Sequence, residues 1–193
     1  MLKLITAPEE MITVEAASVF MRAEFSVSEE NLIKSLITAS RQMCENYLFR
    51  FIGVQTVEFR RHKFPGNNTP ILLPAPVLTV TSIKYLDADN VEQTLDRSEY
   101  IVSDSAPALI TPIGSWPETF RSGDSVRVLF TAGYCDPGDS PNVPEPLPDT
   151  IRIAMLLQIA DMYENREAQV EKPLSANQTL VNLLAPYRLE MGI

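Results

Sequence analysis

The sequence predicts an α+β fold: a helical bundle of two N-terminal helices and a long C-terminal one, with a small antiparallel β-sheet or barrel domain inserted between them and an extended C-terminal tail. Three observations predict it. Before residue 53 and again after 148, apolar residues recur at i, i+3, i+4 and i+7, the spacing of core-facing helices. Between 54 and 133 the period falls to two, and runs rich in Val, Ile, Thr and Tyr alternate with Pro, Gly, Asn and Asp clusters. Residues 133–148 then hold Gly133, Gly138 and five prolines, a linker with little regular structure. The boundaries read as 1–53 for the N-terminal helical part, 54–133 for the inserted β domain, 134–170 for the linker and long helix that complete the bundle, and 171–193 for a docking tail.

Taken in order, residues 1–12 read as an extended lead-in. Thr13 caps a short helix over 14–23, with Ala17, Phe20 and Met21 on its buried side. Ser26 followed by Glu29 is a capping box in form. It opens a helix to about Phe49 whose main stripe is Leu32, Leu36, Ala39, Met43 and Tyr47, widened by Ile33, Ile37, Cys44 and Leu48. Gly53 closes this region. Strands are expected over 54–64, 71–73, 77–86, 91–95, 100–102, 109–111 and 125–132. Asp87-Ala88-Asp89-Asn90 makes a hairpin turn between the third and fourth of these. The long helix starts near Asp149 or Thr150, either of which can cap it, with Pro148 just outside. One stripe runs Ile153, Leu156, Leu157, Ala160 and Tyr163, and a second runs Ile151, Met155, Ile159 and Met162 on another side. A helix apolar on most of its circumference is buried from more than one direction, so the second stripe is assigned to another subunit. A short helix over 177–185 follows, ended by Pro186, and the tail beyond it has little of its own to pack against.

Composition narrows the function classes. The chain has 193 residues, enough to bury a real core, and its 45% apolar content is ordinary for a globular protein. Unbroken apolar runs such as 154–157 fall far short of the roughly 20 residues that span a bilayer. Glu9 and Glu10 come too early for a secretory leader, so a soluble, unexported chain is expected. Cys44 and Cys135 are too few for a disulfide framework and read as reduced thiols. The net charge of −9 divides as −2 for 1–53, −2 for 54–133 and −5 for 134–193. Such a chain repels phosphate, which argues against holding DNA by its backbone and allows proximity to DNA that must not stick.

Catalytic constellations do not emerge. His62 is the only histidine. It sits among Arg60, Arg61 and Lys63, a solvated basic strand rather than the base of a triad. The seven glycines are scattered and form no phosphate loop. Asp87 with Asp89, and Asp136 with Asp139, are the acid pairs a hard cation would use, but neither lies in a calcium-loop pattern. No cofactor and no metal site is expected, and no enzymatic activity. Trp116-Pro117 is costly to expose, so the indole is expected to fold back onto the sheet rather than into a partner.

A family resemblance joins these pieces. Ile12-Thr13-Val14-Glu15-Ala16 leading to Met21-Arg22, Cys44-Glu45-Asn46-Tyr47, the alternation from Ile71 to Val77 and from Ser82 to Asp87, Tyr100-Ile101-Val102, Trp116-Pro117 and the run from Val126 to Tyr134 stand in a familiar order. Val143-Pro144 with the helix ending Tyr163-Glu164-Asn165-Arg166-Glu167, and then Leu183-Leu184-Ala185-Pro186-Tyr187-Arg188, complete it. In that order the chain resembles the head–tail connector, or adaptor, proteins of tailed bacteriophages and prophages, in the form with a β-insertion between helices. One departure is the pair Ala17-Ser18, which stands where relatives are often charged.

The resemblance implies a structural virion protein without catalysis. It would form a ring beneath the portal protein, twelve-fold in the virion and monomeric alone if a portal templates it, and would present a platform to the next neck or tail protein. DNA would pass through the lumen without specific binding, and no membrane is involved. Assembly would occur in the host cytoplasm and the product would sit in the virion neck. The partner interface implied comprises Met155, Ile159, Met162, Tyr163 and Arg166 on the long helix. In the tail it comprises Leu180, Leu183, Leu184, Pro186, Tyr187 and Arg188, with Arg188 paired to an acidic group. The alternatives are another neck or tail-completion protein, a β module binding a host surface, and, furthest from the residues, a metal-dependent enzyme using Asp87 and Asp89.

Overall fold

A computed structural model describes residues 1–103, 105–120, 123–135, 146–165 and 178–189, with the side chains of Val27 and Ser28 left out. The chain is α+β. In order it forms β1 (Leu2–Thr6), α1 (Val14–Met21), α2 (Val27–Leu48), β2 (Gln55–Arg61), β3 (Ile71–Leu73), β4 (Val77–Leu86), β5 (Glu92–Thr94), β6 (Tyr100–Val102), β7 (Ala108–Pro112), β8 (Val126–Ala132), α3 (Asp149–Glu164) and α4 (Gln178–Leu184). Both sheets are antiparallel. One has the order β1-β2-β8-β4-β5, the other β3-β7-β6.

The helices begin where their capping residues place them. Thr13 Oγ1 accepts from Ala16 N at 3.1 Å and starts α1. The Ser26/Glu29 capping box forms, with Ser26 N donating to Glu29 Oε2 at 3.1 Å. Helix α2 ends when Phe49 turns into the left-handed region at φ 54°. Its buried row differs from the one the pattern favours. Ile33, Ile37, Ser40, Cys44 and Leu48 face the core, whereas Leu32 and Met43 are exposed. Both rows repeat at helical spacing, so periodicity alone does not choose between them. The serine in the buried row is accommodated because its hydroxyl donates to Met155 O at 3.0 Å on α3. Cys44 shares that environment, and burial pushes its thiol up to about 12, so it stays a protonated packing residue.

The lead-in proves to be a paired strand. β1 lies antiparallel against β2, with Leu2 opposite Phe59 and Leu4 opposite Val57, and all five of its side chains are exposed. It forms one edge of the larger sheet, and β5 forms the other. The central strand β8 alternates strictly, with Val126, Val128, Phe130 and Ala132 inward. These pack with Val57, Ile71, Leu73, Ile83 and Ile110 into a core contributed by both sheets. A separate core joins Ile12, Ala17, Ile33, Ile37, Leu48, Tyr134, Ile151, Met155 and Ile159 from the helical side.

The turn and the tryptophan follow the sequence. Asp87 Oδ1 accepts from Asp89 N at 3.1 Å and Val91 N at 2.9 Å, while Oδ2 accepts from Gln93 Nε2 at 2.8 Å. Those donors hold its carboxyl below the ordinary carboxylate value and occupy the oxygens a cation would need. Among the described residues no three His, Cys, Asp or Glu side chains gather around a possible metal position, and no helix is long and apolar enough to cross a membrane. Trp116 stacks on Phe64 with ring centroids 4.7 Å apart, and its Nε1 donates to Thr69 O at 3.0 Å. Trp116→Phe keeps the stack and loses the hydrogen bond. It is expected to cost about 1 kcal/mol in a urea titration followed by circular dichroism; a cost near zero would show that Thr69 O is equally well served by water.

The two cores meet at Gly53 and Gly133. Tyr134 N donates to Ile52 O at 2.8 Å, Gly133 N to Pro76 O at 3.0 Å, and Phe51 N to Ala75 O at 3.1 Å. Backbones therefore touch where the chain leaves the helices for the sheet and where it returns. Beside this junction lies a polar cluster that no motif announced. The Arg41 guanidinium, 6% exposed, donates from Nε to Glu10 Oε2 at 3.0 Å and from Nη1 to Glu45 Oε2 at 2.8 Å. Glu45 Oε1 in turn accepts from Ile52 N at 2.8 Å and Gln55 Nε2 at 3.2 Å. The cluster ties the segment before α1, the middle of α2 and the start of β2 to one another.

Candidate assembly interface

The interface residues named from the sequence lie on α3 and α4, and their positions follow from how those helices are held. α3 starts at Asp149 with Pro148 as its cap residue; neither Asp149 nor Thr150 caps it through a side chain. Pro148 O accepts from Ile151 N at 2.9 Å and from Arg152 N at 3.1 Å instead. The helix packs on α2, α1 and α4. Its deeply buried side is the stripe of Ile151, Met155 and Ile159, each without exposure, joined by Ala154 and Leu156. That is the stripe assigned to another subunit by pattern. Within this chain Met155 and Ile159 are core residues. The stripe assigned to the core is the more open one: Ile153 is 41% exposed, and Leu157 and Ala160 are half-buried. A helix with apolar rows on both sides carries no internal signal for which row its own chain takes.

Met162 and Tyr163 occupy the last turn and are half-buried. The Tyr163 ring meets Phe25 edge-on at 5.5 Å, and its hydroxyl donates to Glu29 Oε1 at 3.3 Å, so it joins the end of α3 to the start of α2. Arg166 lies outside the described residues, as do 166–177 and 190–193.

The described part of the tail packs on its own chain. Leu180 and Leu183 lie partly buried against the helical core, and Leu184 is buried in it. Leu189 is buried too, and its N donates to Leu48 O at 2.9 Å, supplying a donor to the open end of α2. Arg50 Nε donates to Tyr187 O at 2.7 Å. Arg188 is exposed, and its guanidinium lies 5.1 Å from the Tyr47 ring centroid and 5.5 Å from that of Phe49. Its described partners are thus aromatic faces rather than a carboxylate. Pro186 is exposed and Tyr187 half-buried. Pro186, Tyr187 and Arg188 together form a small accessible surface at the C-terminal end of α2, backed by Leu184 and Leu189 beneath.

Solved structures share this fold. A chain in the neck of an empty gene transfer agent (GTA) particle, computed with C6 symmetry, superposes with a TM-score of 0.78 at 20% identity, covering 100% of this chain and 97% of that one. A chain of the virion of a native GTA particle gives 0.78 at 22% identity with the same coverage. A chain in the neck of a native GTA particle, computed with C12 symmetry, gives 0.69 at 20% identity, again over 100% and 97%. No protein-family model matches the sequence, and no curated protein matches it. The likeness spans both cores, the β strands as well as the helices, and establishes the fold.

The sequence reading missed the Arg41 cluster. A faint signal exists, since Arg41 and Glu45 stand at i, i+4 on α2. Glu10, which completes the cluster from 31 residues away, carries none.

Proposed function

We propose that this chain is a structural protein of a phage-like neck: an adaptor that forms a ring beneath a portal, joins the DNA-filled capsid to the tail and lets DNA pass. The observation that carries the proposal is the end-to-end likeness, at a TM-score of 0.78, to a chain in the neck of a GTA particle. The C6 and C12 symmetries of the GTA neck structures support a ring arrangement for the same fold here. The acidic balance of −9 supports a passage that does not retain DNA. In this reading the helices build the ring body and residues 54–133 act as an inserted β unit. Assembly takes place in the host cytoplasm and the ring ends in the virion neck.

The proposed partner interface comprises the residues of α3 and the tail that reach the surface. Met162, Tyr163, Leu180, Leu183, Pro186, Tyr187 and Arg188 supply contact, with Met155, Ile159 and Leu184 holding them from below. Arg166, which follows α3 in the sequence, is proposed as part of the same interface. Light scattering of the chain alone and then mixed with its portal tests the reading. A ring alone, or a stoichiometric complex of several copies formed only with portal, is the expected result. A monomer that ignores portal at every concentration would sink it.

A further inference from the structure

We infer that neighbouring copies in the ring meet through two oppositely charged surfaces of the chain: the basic end of β2 on one copy and the acidic groove between α1 and α2 on the next. The inference rests on the ring reading above and names the contact that would close the ring.

The acidic surface is built by the turns around α1. Between residues 9 and 30 the sequence has six glutamates and one arginine, Arg22. A groove of about 530 Å³ opens there, with Ile12, Val14 and Ile37 among its lining residues and Glu15 and Glu30 at its sides. Glu10 and Lys34 also line it; Arg41 holds Glu10 at 3.0 Å and Lys34 holds Glu30 at 3.7 Å. Among the described residues Glu15 makes no ion pair, so the negative charge the groove leaves open is that of Glu15. Glu15 and Val19 stand four residues apart and share the outer face of α1. Val19 is 79% exposed, so an apolar side chain stands in open solvent on the face of α1 that carries Glu15.

The basic surface lies at the far end of the larger sheet. Arg61, His62 and Lys63 follow one another where β2 ends, and His62 and Lys63 are exposed. Arg60 is neutralised by Glu58 and Asp124, but among the described residues no ion pair is made by Arg61 or Lys63. Leu2 and Leu4, opposite Phe59 and Val57, share the face of the sheet that carries Arg61 and are exposed at the edge.

Each surface therefore combines charge that no ion pair within the described residues offsets, Glu15 on one and Arg61 with Lys63 on the other, with aliphatic side chains, and the signs are opposite. In a chain that is acidic overall, this basic run is the counterpart for such a groove, and a second copy supplies it. The two surfaces lie on different elements, so their union is heterologous, the kind of contact that closes into a ring when the rotation per step allows. The long side chains of Arg61 and Lys63 can lay their methylenes on the apolar lining while their charges meet the carboxylates.

Two variants test this, each in the full chain: Arg61→Glu with Lys63→Glu, and Glu15→Lys with Glu30→Lys. Each alone turns the contact into like-charge repulsion. Each is expected to raise the concentration needed for assembly at least tenfold, read as mass by light scattering on the portal or without it, as the wild type requires. Mixed in equal amounts they are expected to restore the ring, with the two variants alternating, because every contact then joins opposite charges again. Restoration also shows that both variants are folded. Assembly of either variant at wild-type concentrations, or a mixture that stays dissociated while the wild type assembles, overturns the contact and leaves the ring reading standing. A wild-type chain that never assembles, alone or with portal, overturns both.

Discussion

Substituting alanine for Gly133 is expected to lower the unfolding free energy by about 2–4 kcal/mol, read as an earlier urea midpoint with an unchanged slope. Two independent costs add at this position. Gly133 has a φ of +133°, a conformation that side chains rarely adopt. A Cβ there would also lie 2.4 Å from Gly53 O and 2.7 Å from the Val54 Cα, all backbone atoms that cannot swing aside. Relief would have to separate the two segments that link the helices to the sheet. The hydrogen bonds from Tyr134 N to Ile52 O and from Gly133 N to Pro76 O would stretch with it. Gly66→Ala is the control: nothing lies within 4 Å of its added methyl, so a change below about 0.5 kcal/mol is expected. Equal midpoints for the two variants would mean that the junction is more compliant than its contacts indicate.

The same junction shows what the sequence could and could not convey. Gly53 reads as the end of the N-terminal helical region, and it lies in the link between Phe49, where α2 ends, and β2, but its close approach to Gly133 depends on the whole sheet lying between them. Features set by neighbouring residues were legible. The Ser26/Glu29 capping box, the change of period after residue 53, the Asp87 turn and the inward fold of Trp116 are decided within a few residues or by one unavoidable burial. The phase of an apolar helix was not. On α2 and α3 two rows compete at the same spacing, and the row that is buried is chosen by the helix across from it, as the Ser40 hydroxyl on Met155 O illustrates. β1 was legible as extended but not as paired, because its partner strand begins about fifty residues later. The tail residues from Leu180 to Arg188 were named through the family resemblance. Their seating on the end of α2 could not be, because Leu48 and Arg50 offer no local sign that a distant leucine and tyrosine will meet them.

Removing the Arg41 guanidinium is expected to be the most damaging single change to the helical side, about 3–5 kcal/mol for Arg41→Met near pH 7. Methionine replaces the stem and leaves Glu10 and Glu45 without the cation that serves both. The loss should depend on pH in a direction the cluster fixes. Burial pushes the Glu45 carboxyl above its usual value of 4.5, while the Ile52 N–H and then the Arg41 charge pull it down. A carboxyl with a raised folded value binds its proton more tightly in the folded chain. Its stabilising contribution is therefore complete below about pH 4.5 and is lost as pH rises through the folded value. Without Arg41 that value rises further, so the variant should lose more stability than the wild type between about pH 4.5 and neutrality. Urea midpoints at pH 4.5 and 7.5 read this directly: the gap between variant and wild type should widen at the higher pH. Adding Glu45→Gln to the variant removes the stranded charge and should recover part of the loss at pH 7.5 only. A gap of equal size at both pH values, unmoved by the second substitution, would make Arg41 a packing residue whose charge is incidental. The expected outcome instead makes the cluster an electrostatic clasp, holding the segment before α1 and the start of β2 to the helix between them.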